Sequence, residues 1–450
     1  MLEVITIETA GLGDRSYLAH DGETAVVVDP QRDIDRVLAV AAGHDVRVTH
    51  VLETHIHNDY VTGGLALAEA TGAAYVVASG EDVAFSRTGI GDGGRLSSGG
   101  LTVTAVHTPG HTPGHLSYML SEDGGDPAAV FTGGSMLFGS VGRTDLISAD
   151  QTEPLTHAQY RSVRRLADEL PDTAAVYPTH GFGSFCSATP TTGTASTIGA
   201  ERQANVALTS DEDAFVKELI AGLGAYPSYY AHMGPANRRG PAAPDLRAPQ
   251  PVDADGLRQR IAAGEWVVDL RQRRFFARIH IAGTVSIELG EPFATYLGWT
   301  IPWGAPVTVV GHSAEQVAEA QRQLVRIGID TLAGAAAGPV EALANGRTSR
   351  YCVADFAALA KTQERDQPVV LDVRRPDEWQ AGHLAGAVHI PFWELAQRAD
   401  EVPPGEVWVH CASGFRAAIA ASVLDRAGRN VVHIDDDWPR AAESGLPVMT

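Results

Sequence analysis

The first 220 or so residues alternate short apolar runs with amphipathic stretches. TAVVVD, RVTHVLE, AAYVVA, LTVTAVHT, AAVFTGG and AAVYPTH read as strands, while DIDRVLAVAAG and TGGLALAEATG carry helical spacing. The pattern predicts a mixed α/β domain over residues 1–235, with histidines just after strand ends, where loops hold functional groups on a rigid scaffold. From Ala225 to Pro251 the periodicity fades and six prolines appear, which predicts a linker over 236–251.

An internal repeat follows. Residues 267–287 read VVDLRQRRFFARIHIAGTVSI and residues 370–390 read VLDVRRPDEWQAGHLAGAVHI. Asp269, Arg271, His280 and Gly283 pair with Asp372, Arg374, His383 and Gly386 at one constant offset of 103. Each copy then runs into a strand, VTVV or VWVH, and a helical segment. Two related α/β units are expected, at 252–347 and 350–450.

Composition sets limits on partners. The net charge of −21 argues against nucleic acid or an anionic membrane surface as partner. The amino-terminal stretch lacks a signal-peptide pattern, and no apolar run is long enough to span a bilayer. Three cysteines (Cys186, Cys352 and Cys411) in 450 residues cannot build a disulfide framework. The expected location is cytoplasmic, and a cysteine that matters does so through its chemistry.

Cys411 is the strongest such candidate. It ends the strand VWVH and opens the loop CASGFR ahead of a helical segment, so backbone N–H groups and the positive helix end should face the thiol. Arg416 closes the loop with a fixed charge, which favours the nucleophilic thiolate, and Gly414 supplies the backbone freedom for the tight turn. With the DVR…H…AGA…IP frame upstream, the unit resembles a rhodanese. The resemblance implies sulfur transfer through a Cys411 persulfide, with Ser413 and Gly414 lining the substrate side; thiosulfate or sulfite would be the small partners. The loop is the short form, which separates it from related phosphatases. In the first copy Gly311 and Gln316 stand at the cysteine and arginine positions, so that copy is read as a degenerate rhodanese-like domain without transfer activity.

The amino-terminal histidines form a second constellation. THIHNDY presents His55 and His57 on one side of an extended segment, HTPGHT offers His111 at a turn, and YPTH brings His180 to a strand end. Such groups converging from separate strand ends make a metal cage. The motif order resembles the metallo-β-lactamase fold, in particular the glyoxalase II and persulfide dioxygenase branch, which implies an αββα sandwich. Joined to rhodanese-like units, the chain is similar to persulfide dioxygenase–rhodanese fusions of bacterial sulfide detoxification. In that family one iron(II), on two histidines and an aspartate, acts on a low-molecular-weight thiol persulfide such as that of glutathione. The resemblance also implies a homo-oligomer, and it makes Arg143 in VGRTD and Cys186 in GFGSFC candidates for substrate binding.

Two positions depart from the family pattern. Gly134 in FTGGSM stands where its aspartate is expected, and Tyr60 replaces a histidine used by di-zinc relatives. The expected site is therefore one metal ion on His55, His57 and His111, with His180 a lesser candidate and Asp59 as base or supporting carboxylate. Iron(II) is favoured and zinc(II) is the alternative. Two further readings stay open: a zinc-dependent thioester hydrolase fused to a rhodanese, and a degenerate metal domain serving as scaffold for the carboxy-terminal sulfurtransferase.

Overall fold

The computed structural model describes residues 2–191 and 193–449. The chain divides into two compact units, one comprising Met1–Pro244 with Val325–Gly328, the other Asp245–Leu324 with Ile329–Thr450. Both expected repeat copies thus fall in one unit. Among the described residues no helix is long and apolar enough to cross a membrane.

The first unit opens with β1 (Glu3–Thr9), β2 (Asp14–His20), β3 (Thr24–Val28), α1 (Asp35–Gly43), β4 (Arg47–Leu52), α2 (Gly64–Thr71), β5 (Ala74–Ala78) and β6 (Thr88–Ile90). These strands form a sheet in sequence order, antiparallel from β1 to β3 and parallel from β3 to β6. Next come β7 (Arg95–Ser98), β8 (Leu101–His107), β9 (Leu116–Glu122), β10 (Ala129–Gly133), α3 (Ala149–Glu169), β11 (Ala175–Pro178) and β12 (Ser196–Thr197). They build a second sheet in the order β12-β11-β10-β9-β8-β7.

Alternation along each strand sorts side chains into layers. Tyr17, Val26, Val28, Leu52 and Val76 face Leu101, Val103, Tyr118, Leu120 and Phe131 in a core between the sheets. The opposite parity, Leu18, Val27 and Val77, packs outward with Val37, Ala41 and Leu67 of α1 and α2. On the other side Val130 and Val176 meet Val163 and Leu166 of α3, together with Phe215 and Leu219. The result is the expected αββα sandwich, whose one-sided apolar sheets and helices each find a partner layer.

Four more helices complete this unit: α4 (Ile198–Ala204), α5 (Val206–Thr209), α6 (Glu212–Gly222) and α7 (Tyr230–Arg239). Helix α7 corrects the expected linker. Its Asn237 is 2% exposed, and its side-chain amide donates to the carbonyls of His57 at 2.9 Å and Tyr60 at 2.8 Å. The boundary at 235 therefore falls within a helix that belongs to the first unit, which ends at Pro244.

In the second unit, parallel strands Val285–Ser286, Trp266–Asp269, Val307–Gly311 and Gly334–Ala337 are neighbours in that order. The strands Val388–His389, Val369–Asp372, Val407–His410 and Val431–Ile434 repeat the order, with Cys352–Ala354 added at the edge. The 103-residue offset survives down to single contacts. Arg271 binds Asp269 at 2.7 Å and the carbonyl of Ile279 at 2.9 Å, while Arg374 binds Asp372 at 2.6 Å and the carbonyl of Gly382 at 2.7 Å. His280 stacks on Phe276 at 3.9 Å and His383 on Trp379 at 3.8 Å.

Candidate functional site

Three strand-end loops of the first unit bring His55, His57, His111 and His180 into one buried cluster. The His55 ring centroid lies 4.1 Å from that of His57, 4.7 Å from His111 and 5.2 Å from His180. Ligand atoms of His55, His57 and His180 lie within 4.8 Å of one another, as do those of His111, His180 and Cys186. His180, the lesser candidate by sequence, is thus common to both sets.

Hydrogen bonds fix which nitrogen of each ring is free. His111 Nδ1 donates to the carbonyl of Arg143 at 2.7 Å, and its Nε2 is buried without a partner. His57 Nε2 faces Tyr60 Oη at 3.0 Å, Asp29 Oδ1 at 3.2 Å and Glu53 Oε2 at 3.3 Å, whereas its Nδ1 is buried and unpartnered. The proton therefore belongs on Nε2, which leaves the Nδ1 lone pair for an ion. His180 Nδ1 lies 2.9 Å from Asp14 Oδ1 and 3.2 Å from Asp59 Oδ2, and its Nε2 stands 3.3 Å from Nε2 of His55. Two imidazole nitrogens aimed at each other, beside two orphaned ones, fit a shared cation.

Without an ion the rings carry different charges, and a cation would have to displace the second proton of His57 and of His180. Burial, reinforced by neighbouring rings, pushes His55 well below its ordinary value and His111 down to about 3, so both are neutral. Burial opposes charge on His57 too, but Asp29 and Glu53 overcome it and raise His57 to about 10. Asp59 and Asp14 likewise raise His180 to about 9 against burial. Burial and the adjacent Asp59 raise Asp14 to about 7, whereas His180 outweighs burial at Asp59 and lowers it.

The departures from the family pattern have packing explanations. A Cβ at Gly134 would lie 2.3 Å from Cδ2 of His111, so the imidazole already occupies the space a carboxylate would need. Gly142 is under the same constraint, since a Cβ there would meet Nδ1 of His111 at 2.8 Å. Tyr60 stacks on His57 at 4.3 Å, and its hydroxyl donates to the carbonyl of Asp29 at 3.3 Å. Tyr60 therefore braces His57.

Arg143 requires a correction. Its guanidinium is spent on Asp145 at 2.7 and 2.8 Å, on the carbonyl of Phe185 at 3.1 Å and on that of Gly224 at 2.8 Å. The charge expected to hold an anionic thiol is neutralised within the fold. Cys186 does reach the cluster, fully buried, with burial and the nearby Asp59 raising its thiol.

Three carboxylates escaped sequence reasoning. Asp14, Asp29 and Glu53 belong to no spaced motif; the only signal for Asp29 is an aspartate ending the run TAVVVD. Asp29 Oδ1 accepts from the Thr54 amide at 2.7 Å, and Oδ2 accepts from Thr54 Oγ1 at 2.7 Å and from Thr179 Oγ1. Its own carbonyl accepts from Ser16 Oγ at 2.7 Å.

In the second unit, the amide of Gly414 donates to Cys411 Sγ at 3.2 Å, and Gly414 adopts φ +88°, open to glycine but costly for other residues. Arg416 does not face solvent as a free charge: Nη1 and Nη2 bind the carboxylate of Glu378 at 2.5 and 2.8 Å. Ser413 is exposed at the loop tip. From the first repeat copy, Tyr296 lays its ring 5.1 Å from that of Phe415, against the cysteine loop. At Gly311 a Cβ would meet Gln316, Ser313 and Val317 at 3.3 Å, so the counterpart loop is closed.

Residues 12–180 match the metallo-β-lactamase superfamily model, and residues 355–443 match the rhodanese-like domain model. The mitochondrial persulfide dioxygenase ETHE1 of Homo sapiens is 30% identical over 230 residues, which span 50% of this chain and 83% of that protein. The chain belongs to the metallo-β-lactamase superfamily. Its superfamily unit is also similar to a hydroxyacylglutathione hydrolase of Cereibacter sphaeroides, 33% identical over 178 residues, or 38% of this chain and 64% of that one. Among solved structures, a metallo-β-lactamase from Staphylococcus aureus subsp. aureus COL superposes with TM-score 0.67 at 26% identity, covering 75% of this chain and 99% of that chain.

Three outcomes follow from these contacts. Asp29→Ala strands the Thr54 and Thr179 donors and removes a carboxylate from buried His57, so denaturant unfolding should show a loss of about 3–5 kcal/mol. Gly134→Asp should displace His111 and weaken metal binding by about tenfold or more, read by competition with a chromophoric chelator. Glu378 is held down to about 2 because Arg416 and Arg375 outweigh burial. A depressed carboxylate stabilises the fold above its unfolded value of 4.5 and loses that contribution as pH falls towards 2. Thermal unfolding of Glu378→Gln should therefore lack that part of the acid slope.

Proposed function

We propose that the first unit is a mononuclear metal enzyme acting on the persulfide of a low-molecular-weight thiol, and that the second is a rhodanese sulfurtransferase carrying sulfur on Cys411. The observation that carries the metal half is the histidine cluster with orphaned His57 Nδ1 and His111 Nε2, built where no bridging carboxylate has room. His55, His57, His111 and His180 would hold one ion, iron(II) for preference. When bound, the ion supplies redox and Lewis-acid activation of oxygen and the persulfide.

Ligand number favours iron. Four imidazoles saturate a tetrahedral zinc ion and leave no position for water, whereas a six-coordinate metal keeps two sites open. Asp14 accepts from the His180 Nδ1–H, Asp59 stands 3.2 Å from the same nitrogen, and Asp29 and Glu53 flank His57 Nε2 at 3.2 and 3.3 Å. Cys186, whose Sγ lies within 4.8 Å of ligand atoms of His111 and His180, would exchange sulfane sulfur with the persulfide, its proximity being what supports that role. The similarity to the human persulfide dioxygenase supports this reading.

In the second unit, the Cys411 thiolate would attack the outer sulfur of thiosulfate, forming the persulfide S–S bond as the donor S–S bond breaks and sulfite leaves with its electron pair, the persulfide being steadied by the Gly414 amide and the positive helix end. The 252–347 copy is read as a degenerate rhodanese domain whose Tyr296 walls the Cys411 loop.

The second reading, a zinc thioester hydrolase, rests on the hydroxyacylglutathione hydrolase similarity. It would use a zinc-bound hydroxide. Tyr60 and Gly134 remove groups a second zinc would need.

Protein purified anaerobically with iron should contain one iron per chain and, given glutathione persulfide, consume oxygen and release sulfite. Thioester hydrolysis by a zinc form without oxygen uptake would decide for the hydrolase. Cys411→Ser should abolish thiosulfate-dependent sulfur transfer while leaving oxygen uptake intact.

A further inference from the structure

A second histidine cluster lies on the outer face of the first sheet, apart from the centre described above. Strand register puts Glu3 directly opposite His20 in the antiparallel β1–β2 pair, so their side chains share a face. That face is the helix-covered one: Leu18, two residues before His20, and Ile5 and Ile7, of the same parity as Glu3, pack with Val37 and Ala41 of α1. His44 caps the carboxyl end of α1 and brings its ring centroid 5.1 Å from that of His20.

His20 is 5% exposed, yet neither ring nitrogen has a hydrogen-bond partner. Glu3 Oε2 lies 3.5 Å from its Nε2, beyond a good hydrogen bond. A buried imidazole without partners is costly, and the atoms that could satisfy it are both metal ligands. Ligand atoms of Glu3, His20 and His44 lie within 4.8 Å of one another.

We propose that Glu3, His20 and His44 form a second, surface-facing site for a divalent transition metal of the zinc, nickel or copper type. Two imidazoles and one carboxylate suit these ions, and water completes the coordination. Glu3 and His44 are exposed and free to adjust their rotamers, while His20 is fixed in the sheet. The bound ion would tie the edge strand β1 to the end of α1, clamping an edge otherwise held by a single strand partner.

The test uses the full chain, stripped by chelator and titrated with zinc under competition from a chromophoric chelator. His44→Ala and Glu3→Gln, both at exposed positions, should each bind one equivalent fewer than the parent. Zinc should also raise the unfolding temperature of the parent by more than that of either variant. Equal stoichiometry and equal zinc-induced shifts in parent and variants would overturn the proposal.

Discussion

A single carboxylate, Asp29, holds the histidine loops in register. It follows β3 with φ +50°, a left-handed conformation that aspartate tolerates better than most side chains. From there it binds the amide and hydroxyl of Thr54, the hydroxyl of Thr179 and the ring of His57. Thr54 precedes His55, and Thr179 precedes His180. Loops from β4 and β11, in different sheets, are therefore fastened to one buried charge. Without it the sandwich would still cover its apolar faces, but the two loops would keep only the contacts of His180 with Asp59 and His55.

The other supports follow the same logic of carboxylate behind imidazole. Glu53 joins Asp29 behind His57, and Asp14 joins Asp59 behind His180. This arrangement fixes tautomers and ring angles. It also keeps the cluster ordered beside Gly134, which contributes no side chain. The His111 ring fills the place next to Gly134, and its Nδ1–H is held by a backbone carbonyl. Gly134 thus offers the cluster no side chain and Tyr60 braces His57, while His57, His111 and His180 keep their supports.

Much of this was legible in the sequence because periodicity reports layers and spacing reports duplication. The αββα order follows from strand and helix runs, and the offset of 103 reappears as matched Arg–Asp pairs. The HxHxD spacing marked His55, His57 and Asp59 correctly as neighbours of one cluster. What escaped depends on long-range contacts between residues that are individually unremarkable. Asp14, Asp29 and Glu53 act across 166, 150 and 4 positions respectively, and only the last lies near a motif. Asn237 lay hidden in proline-rich text because one buried amide leaves no periodic trace. Arg143 could equally have met a ligand or an aspartate, and only geometry assigns it to Asp145.

On the proposed reading these supports define one nitrogen-rich metal position. X-ray absorption at the iron edge of the reconstituted chain should show a first shell of nitrogen and oxygen with the outer scattering pattern of several imidazoles and no metal neighbour. A metal–metal vector at about 3.5–4 Å, the spacing of two-metal sites, would contradict it.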